Sequence, residues 1–173
     1  MDQVLTPLMA MQLAIDEAQK GLGRVAPNPL VGCVILHKEG YLIGKGYHQK
    51  YGGPHAEIEA LNSITDFSLL EGATVYVTLE PCAHFGKTPP CSTRLAQLPI
   101  KKVVYGVSDP NPLVSEKGLE ELKSKGIEIE KWSGPFQEQL EELVEVFLVN
   151  TLEKRTFVTL KVASTLDGQI ADN

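Results

Sequence analysis

An α/β domain, built as a mixed sheet with helices on both faces, is the fold this sequence predicts. Three observations carry it. Apolar residues recur at helical spacing near the start and again near the end of the first 152 residues. Between these stretches lie short apolar runs of strand length. The order is helix, hairpin, then alternating helix and strand, which gives a sheet antiparallel at one edge and parallel elsewhere. With 173 residues and 43% apolar content, the chain can bury one well-packed core but not two full domains.

The first helix is capped by Thr6, with Pro7 at its first position. Leu8, Met11, Ala14, Ile15 and Ala18 form its apolar face, and Gly21 and Gly23 stop it. A loop with Pro27 and Pro29 leads to a buried strand at 30–36. Gly40 turns the chain into a second strand at 41–47, and the short link makes the pair an antiparallel hairpin. A second helix is expected at 56–63 and a β-rich strand at 74–79, ended by Pro81. After a proline- and glycine-rich loop, a short helix opens near Cys91 and a strand comes at 102–107. A Pro/Asn loop at 109–112 precedes a helix at 115–125, a short strand at 127–130 and a last amphipathic helix at 135–152. Ligands in such sheets gather at the carboxyl ends of the parallel strands, where the loops after Leu79 and Val107 sit. In the tail, Phe157, Thr159 and Lys161 alternate with Val158, Leu160 and Val162 as a strand does. We read this as the opening strand of a second domain.

Composition narrows the function. The net charge of −6, from 22 acids against 16 bases, argues against a partner held mainly through its phosphate backbone, such as long nucleic acid. It leaves room for one anionic group in a local basic pocket. No secretory signal opens the chain and no apolar run is long enough to span a bilayer, so no membrane is expected as partner. Three cysteines do not suggest a disulfide framework and suit a reducing cytoplasm, where spaced Cys with His points to a metal.

That metal constellation is explicit. His55-Ala56-Glu57 begins a helix, Glu80-Pro81-Cys82 ends a strand, and Cys91 opens the next helix. This is the H-x-E, Pro-Cys and Cys arrangement of zinc nucleobase deaminases. Zinc takes three protein ligands and keeps a fourth position for water, whose pKa it lowers to roughly 7. Glu57, two residues from the ligand His55, can reach that water without binding the metal. It can pass the proton to the ring nitrogen and the leaving ammonia. Cys33 has no ligand-spaced partner and reads as a buried apolar thiol. The common signature has two residues between the cysteines, whereas eight separate them here. His84, only two residues from Cys82, would strain a shared site, so a substrate role is favoured over a metal role. Lys87 is either a cation for a phosphate or a solvated loop lysine.

The run Thr78-Leu79-Glu80-Pro81-Cys82-Ala83-His84-Phe85-Gly86-Lys87-Thr88-Pro89-Pro90-Cys91 closely resembles the deaminase half of the bifunctional riboflavin-biosynthesis deaminase/reductases. So do Pro27-Asn28-Pro29-Leu30-Val31-Gly32, Gly44-Lys45-Gly46-Tyr47-His48, His55-Ala56-Glu57 and Ser108-Asp109-Pro110-Asn111-Pro112. The resemblance implies a three-layer cytidine deaminase-like fold with zinc as cofactor. It implies a phosphorylated pyrimidine substrate, 2,5-diamino-6-ribosylamino-4(3H)-pyrimidinone 5′-phosphate, whose 2-amino group is hydrolysed to a carbonyl with release of ammonia. By motif, Asn28, His48 and His84 are expected to contact the pyrimidine and ribose, and Lys87, Asp109 and Asn111 the ribosyl phosphate or its neighbours. The resemblance also divides the chain into a deaminase domain at 1–152 and the start of a reductase domain at 153–173. The sequence leaves assembly into a homo-oligomer open.

Three rival readings stand beside this one. The first is deamination of cytidine, dCMP, guanine or a tRNA adenosine, whose enzymes usually show the short cysteine spacing. The second is a structural zinc module, which would want a fourth protein ligand and leave Glu57 without a task. The third is an inactive domain that binds a phosphorylated metabolite.

Overall fold

The computed structural model describes residues 3–83, 90–109 and 117–170. Helix α1 (Pro7–Gln19) starts as expected, with the Thr6 hydroxyl accepting from the Met9 N–H at 3.2 Å. Strands β1 (Gly32–Leu36) and β2 (Leu42–Tyr47) form the antiparallel hairpin. Both are shorter than the sequence suggests, for a visible reason. The Leu30 N–H is spent on the Leu143 carbonyl at 3.2 Å, and Tyr41 pairs with Val4 outside the sheet.

Helix α2 (Ala56–Asn62) comes next, then a 3₁₀ turn at Phe67–Leu70 that is not among the expected elements. Strand β3 (Thr74–Leu79), helix α3 (Cys91–Leu95) and strand β4 (Lys102–Val107) stand where expected. Helix α4 (Lys117–Ser124) and strand β5 (Glu128–Lys131) come after them. Helix α5 (Gln137–Leu148) is shorter than expected, because its last turn widens into a π turn at Val149–Glu153 and Lys154 turns left-handed.

The sheet order is β2-β1-β3-β4-β5. β1 is antiparallel to both neighbours, and β3, β4 and β5 are parallel. Side chains alternate between two cores, as a pleated strand requires. Cys33, Ile35, Val75, Val77, Val103 and Tyr105 face α2, α3 and α4. Val34, Leu36, Tyr76 and Val104 face α1 and α5. These are the three layers that the resemblance implies.

The packing of α2 on β2 is unusually close. A Cβ on Gly46 would lie 2.4 Å from the Ala60 nitrogen, so α2 rests directly on the backbone of β2. Among the described residues no helix is long and apolar enough to cross a membrane. Residues 155–170 join no strand, and Val158, Leu160 and Val162 in that tail are exposed.

Candidate metal centre

α2 begins at residue 56 with His55 as its N-cap, in extended backbone (φ −76°, ψ 165°) and with no side-chain cap hydrogen bond. Pro81 lies just past strand β3 and carries the chain to Cys82, while Pro90 sets Cys91 as the first residue of α3. The three side chains converge. Cys82 Sγ and Cys91 Sγ lie 3.5 and 3.4 Å from His55 Nδ1, and all three donor atoms fall within 4.8 Å of one another. The Cys91 backbone N–H donates to Cys82 Sγ at 3.4 Å.

Charge is set by this crowding. The Cys82 thiol is pulled down to about 4, chiefly by the hydrogen bond from Cys91 Sγ and then by His55, against the cost of burial. Cys91 is pushed far above the usual thiol range, because it shares its proton with Cys82 and is buried. The hydrogen bond to Cys82 raises the His55 pKa. Two sulfurs and one imidazole nitrogen, with no oxygen ligand, are the donor set zinc takes, and three such ligands leave one position open. His55, Cys82 and Cys91 are therefore positioned to hold a zinc ion.

Glu57 sits beside this set, 3% exposed. Burial, reinforced by the charge on Cys82, pushes its carboxyl up to about 7. Cys33 is fully buried and its thiol is pushed up by burial and then by the Glu57 charge, in keeping with an inert core thiol.

Of the residues expected to meet substrate, Asn28 and His48 are brought together. Asn28 Nδ2 lies 3.0 Å from His48 Nε2, and the His48 ring stands edge-on to His55 with centroids 5.6 Å apart. His48 is 3% exposed, and burial lowers its pKa. Asp109 lies just past β4, and its backbone N–H donates to Glu80 Oε2 at 3.1 Å. His84, Lys87 and Asn111 lie outside the described residues.

Two supporting residues emerge only from the structure. Glu80 belongs to the Leu-Glu-Pro-Cys run, but the motif gives it no task. Its own N–H donates to the Val107 carbonyl at 2.9 Å, tying the two loops together. Glu121 accepts from the hydroxyls of Ser92 and Thr93 at 2.7 and 3.1 Å and so braces the start of α3. Nothing in the sequence separates Glu121 from the other charged residues of an amphipathic helix.

A family model for the cytidine and deoxycytidylate deaminase zinc-binding region matches residues 7–107. The riboflavin biosynthesis protein RibD of Aquifex aeolicus is 48% identical over 161 residues, 93% of this chain but 44% of that protein. The crystal structure of a diaminohydroxyphosphoribosylaminopyrimidine deaminase/5-amino-6-(5-phosphoribosylamino)uracil reductase from Thermotoga maritima superposes with a TM-score of 0.83 at 49% identity, over 94% of this chain and 46% of that one. The dCMP deaminase of cyanophage S-TIM5 shares the fold, with a TM-score of 0.55 at 24% identity, over 74% of this chain and all of its own. The chain thus spans less than half the length of the riboflavin-pathway relatives it matches.

Proposed function

Because the chain belongs to the zinc-binding cytidine and deoxycytidylate deaminase family, we propose that it is the deaminase half of a riboflavin-biosynthesis deaminase/reductase. Its substrate is 2,5-diamino-6-ribosylamino-4(3H)-pyrimidinone 5′-phosphate. Water adds its oxygen to C2, the C2–amino bond breaks, and ammonia leaves a ring carbonyl behind. The observation that carries this reading is a buried carboxyl, Glu57, beside three convergent zinc-type donors. Identity near half with one relative named for riboflavin biosynthesis and another named as a diaminohydroxyphosphoribosylaminopyrimidine deaminase supports this substrate.

Zinc, when bound, supplies Lewis-acid activation of water. The chain's residues do the rest. His55, Cys82 and Cys91 hold the ion. Glu57, a buried carboxyl beside the three donors, is placed both to take and to give a proton. It takes one proton from water and gives it to the ring nitrogen, then carries the second, from the new hydroxyl at C2, to the amino group, which leaves as ammonia as the carbonyl forms. Asn28 orients the pyrimidine and Asp109 the ribosyl side. His84, Lys87 and Asn111 are assigned by motif to the sugar and phosphate, with Lys87 as the phosphate cation.

We assign residues 1–152 to the deaminase and 153–173 to the opening of a reductase domain. The exposed apolar tail supports that division: Leu160 is 86% exposed and has no strand partner among the described residues. The test is ammonia release from the ribotide beside cytidine, guanine and dCMP, with zinc-loaded protein. Turnover of the ribotide well above the others is expected. Preference for cytidine or dCMP, or binding of the ribotide without ammonia release, overturns the reading.

A further inference from the structure

His48 has two ring nitrogens, and both are engaged. Nδ1 lies 2.8 Å from the Pro54 carbonyl oxygen. A carbonyl can only accept, so Nδ1 carries a proton and donates. In the neutral ring Nε2 is then bare and can only accept. Its partner at 3.0 Å is the Asn28 side chain, which must present its NH₂ end to satisfy that lone pair. The ring is 3% exposed, so neither nitrogen has a free direction toward a ligand. The chemistry of the Pro54 carbonyl thus decides which way round the Asn28 amide stands. Asn28 Oδ1 is left pointing away from His48, with no hydrogen-bond partner among the described residues.

We propose that His48 is a positioning residue that does not touch the substrate. It relays the Pro54 carbonyl to Asn28 and fixes which end of that amide meets the reacting ring. Two features give the relay its purpose. Pro54 is bonded to His55, so the relay is anchored one residue from a metal ligand and keeps Asn28 in register with the metal. The backbone of His48 is pinned as well, its N–H donating to the Val31 carbonyl at 3.0 Å. An unanchored amide could rotate by half a turn and exchange donor for acceptor at the ring. This inference replaces the expectation that His48 contacts pyrimidine or ribose, and only its kinetic consequence rests on the proposed deamination.

The first test needs no substrate. In zinc-loaded, ¹⁵N-labelled protein at neutral pH, long-range proton–nitrogen correlation of the His48 ring, assigned from its backbone, should show the proton on Nδ1 and a bare Nε2. A proton on Nε2, alone or with one on Nδ1, overturns the proposal. The second test is a double-mutant cycle on kcat/KM with the ribotide. His48→Phe should cost about tenfold with Asn28 present and less than about twofold in the Asn28→Ala background, because its effect passes through Asn28. His48→Gln, which keeps one donor and one acceptor, should recover part of the loss. Equal losses from His48→Phe in both backgrounds would mean that His48 acts on substrate directly. If the unsubstituted protein does not turn over the ribotide, the proposed function fails while the nitrogen spectrum still decides the role of His48.

Discussion

Gly46→Ala should weaken zinc binding although Gly46 holds no metal. A Cβ at this position would fall 2.4 Å from the Ala60 nitrogen, 2.6 Å from the Glu59 carbonyl carbon and 2.7 Å from Glu59 Cβ. Ordinary carbon contacts need roughly 3.5 Å, so α2 must retreat from β2 by about 1 Å. The atoms in the way are mostly helix backbone, which cannot swing aside as a long side chain would. Overpacking of this kind costs about 1–3 kcal/mol of stability. The retreat also carries His55 and Glu57, one turn away on the same short helix, while Cys82 and Cys91 stay with β3 and α3. Metal–ligand distances tolerate only about 0.2 Å. Zinc affinity should therefore fall at least about tenfold, measured by competition with a chromophoric chelator. Leu140→Ala is the control. Leu140 is fully buried in the core on the opposite face of the sheet, and the change costs about 2–5 kcal/mol without touching α2. If Gly46→Ala binds zinc as the unsubstituted protein does, or if Leu140→Ala loses zinc equally, the reasoning is wrong.

Elemental analysis should find no zinc in Cys82→Ser and a full equivalent in Cys33→Ser, since Cys82 faces His55 and Cys33 is not among the converging donors; full zinc in both refutes the ligand set. Glu57→Gln should keep its zinc and lose roughly 10²–10⁴ in turnover, and metal loss or a near-normal rate would remove Glu57 from the proton transfers. Burial opposes ionisation of Glu17, but Lys20 at 2.7 Å and Lys45 at 2.8 Å outweigh it and hold the carboxyl below its usual range. A depressed folded pKa adds stability above the unfolded value, about 4.3, and loses it as pH falls through the folded value. Glu17→Gln should therefore cost about 1–2 kcal/mol in urea unfolding at pH 7, a modest figure because both lysines are half exposed, and the gap should close toward pH 3. A gap independent of pH would show that packing, not charge, is lost. Trimming the chain after Leu152 should leave ammonia release largely intact, because no described residue beyond 152 is buried; collapse of the activity would place the tail in the deaminase core.

Legible in the sequence is whatever neighbouring residues decide among themselves. Thr6 and Pro7 start α1 without help from the rest of the chain, and the bounds of β3 and β4 come from β-branched runs closed by turn residues. The zinc ligands are legible because each sits at a local punctuation mark, a helix start or a proline after a strand. Illegible is whatever depends on partners far along the chain. β1 starts late because Leu30 bonds to a helix more than a hundred residues away. Glu121 reaches back 29 residues to Ser92, and Asp109 the same distance to Glu80. The 3₁₀ turn at Phe67–Leu70 is different, for its signal is local: Asp66 Oδ1 caps the Ser68 N–H at 2.9 Å and Asp is a preferred cap. The expectation that His48 meets substrate comes from the resemblance carried by Gly44-Lys45-Gly46-Tyr47-His48, and a motif cannot reveal that Pro54 and Asn28 engage both its nitrogens.

The same separation of near and far explains how the metal centre is built. One part is α2, which carries His55 and Glu57 and is seated on β2 through Gly44 and Gly46. The other is the stretch around Cys82 and Cys91, braced from behind by α4. Gly118 there lets the helix approach the Pro81 carbonyl, with a hypothetical Cβ only 2.6 Å from it, and Glu121 holds Ser92 and Thr93. A zinc ion would be held jointly by His55 from the first part and by Cys82 and Cys91 from the second. Among the described residues at the site, Glu57 is the buried carboxyl beside these three donors, and it is left to carry protons because His55, Cys82 and Cys91 would be committed to the ion. The division of labour between three ligands and one shuttle thus comes from which part of the fold each residue belongs to.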